Sequence, residues 1–361
     1  MPTDMKDVHS LDDLLLADLE AIRLLLRGGS VIDWHRLNFE NDEQVTRFIA
    51  AQEIDLSQKR DRQRVRLLQA RAVSYLRRRF EFPMPKPVEH ASVEELLMMA
   101  SGSGHRQLCA CTILKVMHVI HHAEARELLF QLPISNEQLF ALVEQKVYRI
   151  IGEMLADGFP IVEFIGGRKN KDSLYTKLMS KPEVTAARIY DKVRFRLVCR
   201  DTDDLFPILQ QLMSRVFPFN FVIPRESSNT LFHFGTYCEE HVELRDLYAN
   251  LQIEGNIEDT ARPPDNVFSA PSYRVVHFVV DMPICLPDHV LESATRDAGL
   301  GRIAFAQCEF QVIDQTADQQ NEMGTASHSA YKARQLDAVM RRLKLGISGE
   351  RKSNPPRKSE E

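Results

Sequence analysis

The strongest constraint on the fold is a change of period at Gly158-Phe159-Pro160. Before it, apolar residues recur at helical spacing in long runs. After it, short alternating runs are separated by helical stretches. Gly and Pro end a helix by separate routes: Gly accepts the left-handed conformation past the C-terminus, and Pro pushes its predecessor out of the helical region. At 361 residues there is room for two domains. The expectation is an α+β chain, with an all-α domain over 1–158 and a mixed-sheet α/β domain over 159–346. A charged, proline-bearing tail over 347–361 lacks apolar anchors and is expected to be disordered.

The first half reads as successive helices. Ser10 and Asp13 form a capping box before LDDLLLADLEAIRLLLR, which Gly28 and Gly29 terminate. Asn41 caps a second helix, and a long basic one spans Ser57 to Phe80. In the latter, Val65, Leu67, Leu68, Ala72 and Tyr75 make a core-facing stripe, so its arginines read as a solvated face. The prolines of FEFPMPKPVEH impose an extended crossing. A helix then starts at Ser92/Glu95, an apolar one runs from Leu108 to Leu132, and the last begins at the Ser135/Gln138 capping box. His118, His121, His122 and Glu124 lie on the Leu108–Leu132 helix. Without a His-Asp dipeptide or a second ligand cluster, they read as helix-surface or capped core residues.

In the second half, strands are expected over Ile161–Gly167, Lys192–Cys199, FNFVIP, Tyr273–Met282 and Ile303–Ile313. Helices are expected over Lys171–Ser180, Asp203–Val216 and Ala330–Leu345, while Leu231–Pro264 resists assignment. The 46 basic and 51 acidic side chains, net −5, argue against a protein that coats nucleic acid through bulk charge. No apolar run approaches the roughly 20 residues that span a bilayer, and the polar start lacks the plan of a signal peptide. Six cysteines without a CxxC pair or framework spacing fit reduced thiols and a cytoplasmic location. His233, Cys238 and His241, without a second close pair, read as ordinary surface or core residues rather than a metal site.

One stretch, CEFQVIDQTADQQNEMGTASHSAYK over Cys308–Lys332, carries an acid and an amide on one face of a strand (Glu309, Gln311) that runs straight into a helix. The second half also offers a cation cluster (Arg168, Lys169, Lys171, Lys177) and a strand with Asp191 at its start and Arg196 within it. Two carboxylates and several cations on one sheet suit phosphoryl transfer, in which acids hold Mg²⁺ and cations neutralise phosphate oxygens; a salt-bridged surface is the alternative.

Glu309-x-Gln311, followed by Glu322, Gly324, Ala326, His328, Tyr331 and Lys332, resembles the second signature of the RelA/SpoT-type alarmone synthetases. The first signature is present in order as Ser173, Lys177, Asp191 and Arg196. Counting back from Ser173, the family's Lys falls on Lys169 and its Arg on Gly167, so Arg168 fills that role through a loop one residue shorter, or the role is vacant. The family's Tyr-x-Ser-x-His appears as Tyr273, Val275 and His277. The family's Ile-Arg-Thr after the Gln is Val312, Ile313 and Asp314, a small residue before Glu322 is replaced by Asn321, and Pro-Lys-x-Asn-Gly before the Tyr is Phe268 to Ser272.

The resemblance covers about Ile161 to Leu345. It implies a nucleotidyltransferase-like domain that transfers pyrophosphate from ATP to the 3′-hydroxyl of a guanine nucleotide. By it, Asp191 and Glu309 carry Mg²⁺ and Glu309 helps deprotonate the attacking hydroxyl. Arg168, Lys169, Ser173, Lys177 and Arg196 handle ATP; Tyr273 stacks on the acceptor base; His277 and Gln311 orient acceptor phosphate and sugar. Two alternatives remain open: transfer to the 3′ end of tRNA, with the basic helix as docking face, and a catalytically silent nucleotide-binding module.

Overall fold

The computed structural model describes residues 8–29, 31–180, 193–254, 270–292, 298–323 and 327–343. Helices come first: α1 (Leu16–Arg27), α2 (Asp42–Ala50), α3 (Lys59–Phe80), α4 (Lys86–Glu89), α5 (Val93–Ala100), α6 (Gly104–Gln131) and α7 (Asn136–Ala156). There follow β1 (Ile161–Arg168), α8 (Lys171–Ser180), β2 (Val193–Cys199), α9 (Leu205–Arg215), β3 (Ser228–Asn229), α10 (Phe234–Glu240) and α11 (Val242–Glu254). The chain continues through β4 (Val276–Cys285), α12 (Asp288–Glu292), β5 (Ile303–Asp314), α13 (Gln315–Asn321) and α14 (His328–Arg342). The class is α+β, with one mixed sheet in the order β1-β2-β5-β4-β3. β2 and β5 are parallel, and the other pairs antiparallel.

Local chemistry sets the helix ends. Asn41 Oδ1 accepts from the Glu43 and Gln44 amides at 3.1 and 3.0 Å, and the boxes at Ser92/Glu95 and Ser135/Gln138 both form. The Ser10/Asp13 box opens only a 3₁₀ turn, Leu11–Asp13, and the helix proper starts at Leu16. Within the proline-rich crossing, Pro85 stands at the N-cap of the single turn α4 and Pro87 lies inside it, because Pro is tolerated in a first helical turn. FNFVIP, expected as a strand, is a 3₁₀ turn over Phe219–Phe221 with a lone bridge from Val222 to Val280. It starts at Pro218, and its aromatic rings serve packing: Phe219 lies against both main apolar clusters and Phe221 is buried. The unassigned stretch after Leu231 supplies α10 and α11.

Strand alternation gives the sheet two unlike faces. On one, Phe278 and Phe310 stack with centroids 5.5 Å apart, and Phe195 and Phe217 each lie 5.3 Å from Phe310. Residues of α1, α7, α9 and α11 join this cluster. The packing is therefore continuous across residue 158, where helix gives way to strand. A separate core lies among α2, α3, α5 and α6. The other face is covered at one end by α6, whose His122 stacks on Phe305 of β5 at 4.2 Å, and at the other by α13. No helix among the described residues is long and apolar enough to cross a membrane.

Candidate functional site

Between α6 and α13, the second face of the sheet collects five of the nine expected site residues that are described. The parallel register sets Arg194 beside Glu309 and Arg196 beside Gln311, and the antiparallel register sets His277 across from Gln311. Side chains that share a row on neighbouring strands point the same way, so Arg196, Glu309, Gln311 and His277 project together. Glu309, 7% exposed, receives His277 Nε2 at 3.2 Å and Gln311 Nε2 at 2.7 Å on the same oxygen, Oε1. A buried carboxylate gripped on one oxygen by two neighbours has a fixed orientation.

β5 ends at Asp314, whose Oδ1 accepts from the Ala317 amide at 2.8 Å while Oδ2 accepts from Thr202 Oγ1 at 3.1 Å. This cap turns the chain into α13 and brings Asp318 onto Arg196, with which it forms an ion pair. Burial opposes the Arg196 charge, but Asp318 and the Tyr273 hydroxyl hold its pKa above the usual arginine value. Burial likewise raises the Tyr273 hydroxyl against the pull of Arg196.

Tyr273 reaches this cluster from a turn rather than from a strand. Its amide donates to the Ala270 carbonyl at 3.0 Å, its carbonyl accepts from Thr230 Oγ1 at 2.9 Å, and β4 begins only at Val276. The expected strand Tyr273–Met282 is thus displaced toward Cys285. On the ring's inner side lies a small apolar cluster of Val198, Val275, Ile313 and Ala317.

Arg168 is not brought to Glu309. It is the last residue of β1, and the register places Gly167, not Arg168, in the row of Arg194 and Glu309. Arg168 therefore faces the helical side, where its Nε and Nη2 donate to Glu144 of α7 at 2.9 and 2.7 Å and its Nη1 pairs with Glu137. Lys169 follows in the loop. Asn170 caps α8 by accepting from the Ser173 amide at 2.9 Å, and Ser173 and Lys177 lie half-buried one turn apart on α8, which packs on α14. Asp191 lies outside the described residues, as do Gly324 and Ala326. The stretch expected as one helix after Ile313 is two, α13 and α14.

Asp318 and Asn321 were not anticipated as parts of the site. Asp318 carries no signal, since an acid in the first turn is ordinary helix-start chemistry. Asn321 is marked only as a polar residue where a small one was expected. Among the described residues no group of three His, Cys, Asp or Glu side chains could hold a metal by itself. The hard carboxylate of Glu309 nonetheless suits Mg²⁺, which takes one or two protein carboxylates and completes its shell with water and phosphate.

No family model matches the chain, and no curated protein matches it. Among solved structures it is similar to small alarmone synthetase 1 from Bacillus subtilis bound to its product pppGpp, at 17% identity, covering 58% of this chain and 88% of that one, with a TM-score of 0.31. It is also similar to small alarmone synthetase 2 from Bacillus subtilis (17% identity, 61% and 96% covered, TM-score 0.29). A third is a GTP pyrophosphokinase family protein from Streptococcus pneumoniae (13% identity, 58% and 86% covered, TM-score 0.28).

Proposed function

We propose that the chain transfers pyrophosphate from ATP to the 3′-hydroxyl of a guanine nucleotide. The observation that supports this reading is the grouping of Arg196, Tyr273, His277, Glu309 and Gln311 on one face of the sheet, from three separate chain segments. In the reaction, the 3′-oxygen bonds to the β-phosphorus as its proton passes to Glu309; the bond from that phosphorus to the α-bridging oxygen breaks, and AMP leaves. His277 and Gln311, by gripping Glu309 Oε1, hold the base in one orientation. Arg196 offers positive charge to the phosphates, and Tyr273, set against it, offers a ring on which the acceptor base stacks. Mg²⁺ held by Glu309 and Asp191 would neutralise charge on the transferring phosphate oxygens.

A second reading, a silent nucleotide-binding module, draws support from Arg168, which is engaged by Glu137 and Glu144 on the opposite face. Purified protein with labelled ATP, Mg²⁺ and GDP or GTP separates the two. The expected outcome is AMP together with a 3′-pyrophosphorylated guanine nucleotide, and a loss of roughly 10²-fold or more in Glu309→Gln with little change in Tm. No AMP release with any guanine nucleotide would refute the leading reading, and release only with tRNA would move the acceptor to RNA.

A further inference from the structure

A cavity of about 320 Å³ lies between α3 on one side and α12 with residues 299–303 on the other. Leu291 and Ile303 contribute apolar wall, and Arg60, Arg64 and Arg302 contribute guanidiniums. The solvent side is marked by Arg60 and Asp288, whose side chains are 56% and 63% exposed. At the buried end stands His121 of α6, 5% exposed, with both ring nitrogens lacking a hydrogen-bond partner. Arg302 is nearly as enclosed, with a side chain 17% exposed. Its Nη2 donates to the Leu286 carbonyl at 3.3 Å, whereas Nε and Nη1 are buried without a hydrogen bond and Nη1 has only the Asp288 carboxylate, 3.8 Å away, as an ion partner.

Buried polar groups in folded proteins are nearly always paired, because an unpaired one keeps the cost of lost hydration. An unpaired imidazole and two unbonded guanidinium nitrogens lining one cavity are accounted for if a ligand pairs them. Burial, with Arg64 nearby, pushes His121 down to about 3, so at neutral pH its imidazole presents one donor and one acceptor. Asp61, Asp288 and Glu292 also line the cavity, and Glu124 pairs with Arg64 at 2.7 Å, so no surplus of positive charge is left for a multiply charged phosphate ester. The volume suits a small ligand.

We propose that this cavity binds a small organic monocarboxylate, its oxyanion on Arg302, its apolar body on Leu291 and Ile303, and its inner edge against His121. The site is separate from the Glu309 cluster, at the opposite end of β5.

The test uses 4-bromobenzoate as probe with the full chain, by calorimetry and by the anomalous signal of bromine in crystals. One molecule is expected in the cavity, with phenyl phosphate binding about tenfold more weakly. Arg302→Gln is expected to weaken 4-bromobenzoate by about tenfold or more, as loss of a charged hydrogen bond does. His121→Phe guards against misfolding as an explanation: a ring that needs no partners should fold at least as stably as wild type and still bind the probe more weakly. Absence of heat and of a bromine peak in the cavity, or binding unchanged in both variants, would overturn the proposal.

Discussion

Asn321 holds both polar groups of one residue's main chain. Its Oδ1 accepts from the Arg274 amide at 2.9 Å and its Nδ2 donates to the Arg274 carbonyl at 2.6 Å, in a setting where Asn321 is 2% exposed. Arg274 follows Tyr273, so this clamp from α13 fixes the turn that presents the tyrosine to Arg196. Asn321→Ala should cost about 1–3 kcal/mol, the range for buried groups left unpaired, and should raise the acceptor KM more than it lowers kcat. Equal effects on both substrates' KM would argue against a positioning role. The same residue shows where the sequence was legible: a polar side chain at a position expected to be small was visible, but its partner, 47 positions away, was not. Arg168 fails differently. Moving a role by one residue is harmless in a loop, but on a strand it turns the side chain to the other face. Gly166 shows how tight that other face is, since a Cβ there would stand 2.6 Å from the Tyr148 hydroxyl.

At the scale of elements, the two hydrophobic periods were legible because each reflects burial of a face, and the alternation of β2 and β5 predicted which side chains share a side. The displacement of β4 was not legible: Tyr273-Arg274-Val275 alternates as well as any strand, and it is held as a turn in part by Thr230 and Asn321, both distant in sequence. Helix α6 has its own consequence for stability. Burial is the first cause that lowers His118 well below the ordinary histidine value, His121 to about 3 and His122 to about 4. The folded state therefore takes up these protons only at lower pH than the unfolded chain, so stability is full above the unfolded pKa of about 6.5 and falls as pH drops below it. Asp281, 3.6 Å from His122, is pushed up to about 6 by burial and works in the opposite direction between about 6 and 3.8. Burial also raises Asp18 and Asp204, which act in the same sense as Asp281, but the three imidazoles dominate between pH 7 and 5 and leave a net loss on acidification, with each group worth up to about 1.4 kcal/mol per pH unit. Urea unfolding at pH 7, 6 and 5 should give a steadily falling stability, with a shallower fall in His121→Phe. A flat profile would show that these imidazoles are hydrated.

At the scale of the whole molecule, the helical half and the sheet share one core. Leu19, Ile22 and Leu25 of α1 and Val143, Val147, Ile150, Ile151 and Met154 of α7 are at most 2% exposed, and all belong to the cluster that holds Phe195 and Phe310. Burying a side chain of this size is worth about 1.5–3 kcal/mol, so these residues together represent about 12–24 kcal/mol of gross burial, against a typical net stability of about 5–15 kcal/mol. Polar ties cross the same junction: Lys146 of α7 pairs with Glu53 at 2.6 Å and donates to the Pro283 carbonyl of β4 at 3.0 Å, and Asn220 Nδ2 lies 3.1 Å from His118 Nδ1. A fragment over residues 159–346 would keep α9 and α11 but lose the cover of α1 and α7 on the helical side of the sheet, exposing part of its apolar cluster. It is expected to lack dispersed amide resonances and a cooperative thermal transition, whereas the full chain shows both. Adding residues 1–158 in trans should restore them only in part, because α1 and α7 must find their places on the sheet without the chain that tethers them. A cooperatively folded fragment would instead make the change of period at Gly158 a boundary between independent units.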